Sequence, residues 1–78
     1  MTLSEKIKQS LVAAGLFEVP TDPQAALVDF GLDSLMVVML VLDLQRKFNL
    51  QVPADLVTGD NMRSQASIEK MLRELGAQ

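Results

Sequence analysis

The chain has 78 residues, 49% of them hydrophobic and 22% charged, with no cysteine, no histidine and a formal net charge of −3. A chain this short buries only about 60% or slightly more of its unfolded surface, which excludes a large enclosed active site. The missing residue types exclude disulfides, thiolate zinc sites, the usual general base and the commonest metal ligand, and a sequence pI near 4.6 without Trp makes nucleic acid a poor partner.

The composition suits one packed, soluble domain over residues 1–78 that acts as a monomer and is not itself an enzyme. The first residues carry charges inside an amphipathic pattern and lack the basic-then-apolar order of a signal peptide, so a cytoplasmic location is expected. The longest apolar stretch, Leu35 to Leu42, is far shorter than the roughly 20 residues that span a bilayer.

In chain order, Leu3, Ile7, Leu11, Val12 and Leu16 fall at helical spacing and predict an amphipathic helix that starts at a Thr2 or Ser4 cap and ends near Gly15. Residues 17–32 hold Pro20, Thr21, Asp22 and Pro23, which break periodicity, yet Leu27, Val28 and Phe30 are too apolar for a free linker. A long first loop pinned to the core is expected, of the kind that serves function or packs its own side chains.

A second helix is predicted from Asp33 or Ser34 to about Phe48, with Asn49 and Pro53 marking its exit. Val37, Leu40, Val41, Leu44 and Phe48 form one apolar stripe; Leu35, Val38, Met39 and Leu42 form another. So small a bundle cannot bury both, so the second stripe is a candidate docking surface, with packing against the long loop as the alternative. Residues 54–62 predict a short irregular helix interrupted by Gly59, with Leu56, Val57 and Met62 inward. A last helix begins at Ser64 or Ser67, carries Ile68, Met71, Leu72 and Leu75 inward and stops at Gly76. The fold class is therefore all-α: a small bundle of three long helices plus one short helix, with a long first loop.

Asp29-Phe30-Gly31-Leu32-Asp33-Ser34-Leu35 places a serine at the start of the second helix, behind a glycine that can take a positive φ. An anionic group on Ser34 would sit in the favourable field of the helix start, worth some tenths to about 1 kcal/mol. Taken alone, Ser34 also fits a plain helix cap. Asp33 can cap the helix or help hold the metal ion and cofactor that a modifying enzyme brings. Asp22, Asp29 and Asp60 have turn spacing rather than ligand spacing, so no metal site is expected.

Gly31-Leu32-Asp33-Ser34-Leu35 resembles the phosphopantetheine attachment motif of the acyl carrier protein family, which includes peptidyl and D-alanyl carriers. Chain length, serine position, the long first loop, the apolar middle helix ending in Phe48 and the Val52-Pro53 pair extend the resemblance over essentially the whole chain. It implies that Ser34 receives a 4'-phosphopantetheine arm from coenzyme A through a phosphopantetheinyl transferase. It also implies that Asp33 assists the modification and that the arm's thiol holds cargo as a thioester for ligase, synthase or acyl-transferring enzymes. Leu35, Met36 and Met39 would flank the site on the partner side. Unlike the fatty-acid type, the middle helix lacks a run of acids: it reads Met36, Val37, Val38, Met39, then Asp43, Gln45, Arg46 and Lys47. Hydrophobic recognition is then expected, with Asp33, Asp43, Asp55 and Asp60 as the remaining acidic contacts. Residues 56–62 resemble those of specialised carriers.

The main functional expectation is a carrier of acyl intermediates for fatty-acid, polyketide or related biosynthesis, whose chain could fold back against Phe30, Leu40, Leu44, Ile68 and Leu72. The alternatives are an aminoacyl or peptidyl carrier of a dedicated pathway, a non-covalent helical interaction module, or a small lipid-binding protein.

Overall fold

The computed structural model describes residues 1–77 and orders them as α1 (Leu3–Ala13), a 3₁₀ turn (Leu27–Phe30), α2 (Ser34–Phe48), a second 3₁₀ turn (Ala54–Leu56) and α3 (Gln65–Glu74). Both α2 and α3 pack on α1, which makes the first helix the spine of the bundle. Ile7 and Leu11 of α1, Leu40 and Leu44 of α2, and Ile68 and Leu72 of α3 are fully buried at its centre.

Each helix is fixed at its ends by its own sequence. At α1 the Thr2 hydroxyl accepts the Glu5 amide at 3.1 Å, and the Glu5 carboxylate accepts the Thr2 amide in return at 3.4 Å, a reciprocal box that satisfies two otherwise free donors. The helix stops at Ala13, beside the expected end near Gly15, because the chain turns through Gly15 at φ 109° and the Leu16 amide reaches back to the Leu11 carbonyl at 3.0 Å. A left-handed glycine with this backward bond terminates helices without strain. Val12, assigned to the core stripe, lies about 100° round the helix from the buried Leu11, at the edge of that stripe, and is exposed. α3 opens on the same kind of box between Ser64 and Ser67, and Ser67 Oγ also donates to the Asn61 carbonyl at 2.9 Å.

The long first loop is pinned, as its apolar residues required. Leu16, Leu27 and Leu32 are buried. The Leu27 amide donates to the Arg63 carbonyl at 2.8 Å, the Ala66 amide to the Pro23 carbonyl at 2.9 Å, and the buried Gln65 side chain to the Pro20 carbonyl at 2.8 Å. Phe17 and Val28 nevertheless face solvent, Phe17 completely. The segment expected to be a short helix over residues 54–62 is a single 3₁₀ turn ending at Leu56, after which Asn61 Nδ2 donates to the Leu56 carbonyl at 2.7 Å and ties the rest as turns. Of its three expected inward residues, Met62 is buried and Leu56 and Val57 are half-buried.

One polar cluster locks α2 onto α1. Asp43 is only 15% exposed; its carboxylate meets Arg46 at 2.8 Å and Lys47 at 3.5 Å. The wholly buried Ser10 hydroxyl of α1 lies near this carboxylate, and neither it nor Asp43 Oδ2 makes a well-formed hydrogen bond, while Lys47 Nζ reaches across to the Lys6 carbonyl of α1 at 3.4 Å. That hydroxyl foremost, and the Arg46 guanidinium after it, hold the Asp43 carboxyl below the usual carboxylate range against the opposing pull of burial. Asp43 is thus not the free acidic docking residue expected from sequence: its charge is engaged inside the molecule.

Because folding lowers the pKa of Asp43, the stability it contributes is present above the unfolded value of about 4 and is lost as pH falls through the folded one. Asp43→Asn should cost about 1 to 2 kcal/mol at neutral pH and flatten the loss of stability below about pH 4, read by urea titration at several pH values. Leu44→Ala, at the centre of the core, should cost about 2 to 5 kcal/mol in the same experiment.

Candidate functional site: the start of α2

The first loop delivers the chain to α2 through the 3₁₀ turn over Leu27–Phe30 and Gly31, whose φ of 104° turns it toward Leu32. Leu32 is buried and anchors the approach. Asp33 then takes the capping position: its Oδ1 accepts the Met36 amide at 2.9 Å while its backbone carbonyl accepts the Val37 amide at 2.9 Å. Capping is therefore the work of Asp33, and Ser34 is the first residue of the helix proper, exposed, with a hydroxyl not consumed by the cap. Two observations thus separate roles that sequence left open between neighbouring residues.

Ser34 opens onto a cleft of about 760 Å³ between the first half of α2 and residues 57–63. Its walls are largely apolar, with Val28, Val37, Val57 and Met62, while Asp33, Thr58 and Arg63 supply polar groups and Gly59 leaves space. Nothing stands within 4 Å of where a Cβ would extend from Gly31 or Gly59, so the rim beside the serine is open. The first-turn amides of α2 and the positive end of its dipole face this rim, a favourable field for an anion.

The second apolar stripe of α2 is solvent-facing: Leu35 is 69%, Val38 56%, Met39 47% and Leu42 60% exposed. The core took only the first stripe, with Leu40 and Leu44 buried and Val37, Val41 and Phe48 half-buried. Met36 is half-buried and leans toward the end of α1, where a Cβ on Gly15 would lie 3.9 Å from its Cε. Asp55 and Asp60 are exposed on the turns after α2. Asp43 lies on the α1 side of the helix, bordering Met39 and Leu42 in a shallow pocket with Ala13 and Arg46, and its charge is engaged by Arg46 and Lys47. Asp22 serves its own loop, accepting the Gln24 amide at 2.9 Å. Of the positions expected to receive an acyl chain, Leu40, Leu44, Ile68 and Leu72 are fully buried and Phe30 is half-buried, and the open cleft lies beside Ser34. Val28, Val57, Gly59 and Arg63 were not singled out in advance as cleft residues, since no periodicity links them to Ser34.

The family model described as phosphopantetheine attachment site matches residues 6–75. The chain belongs to the phosphopantetheine-binding carrier family. It is a carrier, served by partner enzymes rather than catalytic itself, and its prosthetic group is 4'-phosphopantetheine. The residues present fit that group: a free hydroxyl at an exposed helix start, an open cleft beside it and no side chain blocking the rim. This carrier is 32% identical over 72 residues to aminoacyl carrier protein 2 of Bradyrhizobium diazoefficiens, spanning 91% of this chain and 81% of the relative. It is 30% identical over 67 residues to aminoacyl carrier protein 1 of the same organism, spanning 86% and 74%. A chain in the crystal structure of Bradyrhizobium japonicum glycine:[carrier protein] ligase complexed with glycylated carrier protein matches with a TM-score of 0.76 and 30% identity, over 87% of this chain and 95% of that one. These relatives make it a specialised carrier rather than a housekeeping fatty-acid one.

Asp33→Ala should cost about 1 kcal/mol through loss of the cap, whereas Asp33→Asn keeps an acceptor and should melt close to wild type. If the Asp33 carboxylate also assists modification, Asp33→Asn will remain folded yet take up the arm more slowly, measured by intact mass against time. Equal rates would leave Asp33 a cap only.

Proposed function

We propose that this carrier holds an activated amino acid, with Ser34 as the attachment residue and an amino-acid-activating ligase as its principal partner. The observation that carries the reading is the exposed Ser34 on the first turn of α2, within the attachment motif and beside an uncovered apolar stripe. The names of the relatives favour aminoacyl cargo over the fatty-acid and polyketide roles expected first. When bound, the prosthetic group supplies a thiol that carries the cargo as a thioester.

The chain's own residues do the rest. Asp33 sets the helix start and leaves the Ser34 hydroxyl available to the transferase. Leu35, Met39 and the outer part of Met36 form the partner-facing surface, with Val38 and Leu42 extending it; Asp55 adds an exposed acid at its margin. Flexible methionines within such a patch adapt to more than one partner shape. A transferase and a ligase, each needing access to Ser34, therefore take turns at the same surface. A cytoplasmic location suits coenzyme A as donor and a ligase as partner.

The test is loading in sequence. After incubation with coenzyme A, magnesium and a phosphopantetheinyl transferase, the carrier should gain one arm by intact mass and Ser34→Ala none. Offered ATP, glycine or another small amino acid, and an amino acid:carrier protein ligase, the armed carrier should gain one aminoacyl group. Efficient loading by a fatty-acid-activating synthetase, with no amino acid accepted, would return the reading to an acyl carrier. Leu35→Asp or Met39→Asp should reduce ligase loading about 10-fold or more without lowering Tm, as expected where truncation or charge falls on a central apolar contact.

A further inference from the structure

Arg63 stands apart from the other arginines of the chain. Among the described residues Arg46 and Arg73 each pair with a carboxylate on their own helix, at 2.8 Å and 3.3 Å, whereas Arg63 has no carboxylate within ion-pair distance. Its one side-chain contact is a long 3.5 Å approach of Nη1 to the Gln24 carbonyl. It lines the same cleft that Ser34 opens onto, and there it is the one cation; the one carboxylate, Asp33, is occupied by the Met36 amide.

Its backbone is also held in register with the serine. The Arg63 carbonyl accepts the Leu27 amide at 2.8 Å, at the start of the 3₁₀ turn that runs through Gly31 to Asp33. On its other side Ser64 begins the capping box of α3. A guanidinium on a fixed backbone, exposed at the wall of a largely apolar cleft, is suited to a phosphate oxygen pair, since its planar fork matches that geometry.

We propose that Arg63 is a cofactor-binding residue: it supplies the counter-charge for the phosphodiester on Ser34 and seats the arm in the cleft between α2 and residues 57–63. The proposal rests on Ser34 carrying the arm. Modification adds one negative charge at the helix start, and Arg63 is the uncommitted cation placed to answer it. The bond would draw the arm across Gly59 and Thr58 rather than leave it free in solvent, and so set the direction in which the thiol is offered.

The experiment compares the unmodified and modified full chain in wild type and Arg63→Gln, with the single arm verified by mass. Modification should raise the wild-type Tm by about 2 to 5 °C at low salt, the scale of one modest charged contact in a domain of this size. The gain should shrink by half or more in Arg63→Gln, and in wild type between about 0.01 M and about 1 M salt. The phosphorus NMR resonance of the modified wild type should move over the same salt range and sit at a different position in Arg63→Gln. Equal Tm gains in both proteins, with coincident phosphorus resonances, would overturn the seat while leaving Ser34 as the attachment residue. An Arg63→Gln variant that the transferase cannot modify would assign Arg63 to the transferase interface and equally overturn it. No arm on wild type would remove the Ser34 reading and this proposal together.

Discussion

A single hydrogen bond, from the Met36 amide to the Asp33 carboxylate, sets the chemistry of this molecule. Helix starts leave amides without partners, and the residue that satisfies one of them becomes part of the scaffold. With Asp33 in that position, Ser34 moves onto the first turn, where its hydroxyl points to solvent in the field of the remaining amides. Were Ser34 the cap, its oxygen would be committed to the backbone. The adjacent positions divide one task between them: the acid builds the helix and the alcohol is left for modification.

The size of the chain explains the second half of the site. One core is all it can build, and α1 occupies its centre with α2 and α3 packed on it. α2 spends Leu40 and Leu44 on that core and has no element left to cover Leu35, Val38, Met39 and Leu42. An uncovered apolar stripe of this kind costs solubility and persists where partners need it. Asp43 and Arg46 pair on α2 while Lys47 reaches the Lys6 carbonyl of α1 at 3.4 Å, so the uncovered stripe is carried on a helix held at the end away from Ser34. A rigid element is what a carrier requires, because each enzyme must find the serine in the same place.

Much of this was legible in the residues. The bounds of α2, the pinned first loop, the cap of α3 and the two-sided middle helix all follow from turn chemistry and 3.6-residue periodicity, which are local signals. What was not legible depends on contacts between distant parts of the chain. Asp43 looks like a surface acid until Ser10 of α1 is placed against it. Val12 sits next to the buried Leu11 in the apolar pattern, yet α2 and α3 cover only the Leu3, Ile7 and Leu11 side of α1 and leave it on the rim. Residues 57–63 are turns rather than helix because Asn61 and Ser67 bond to nearby carbonyls, and only that path brings Arg63 to the cleft beside Ser34. Cargo lies further still from sequence: the aminoacyl assignment leans on relatives, not on any residue of the attachment motif.

The most direct measurement is to locate the modification within the chain. Digestion of the transferase-treated protein, followed by fragmentation of the peptide spanning Gly31 to Leu35, should place the whole added mass on Ser34 and leave Ser4, Ser10, Ser64 and Ser67 unmodified. An arm found on any other serine, or a folded chain that accepts none, would contradict the division of labour between Asp33 and Ser34 on which this account stands.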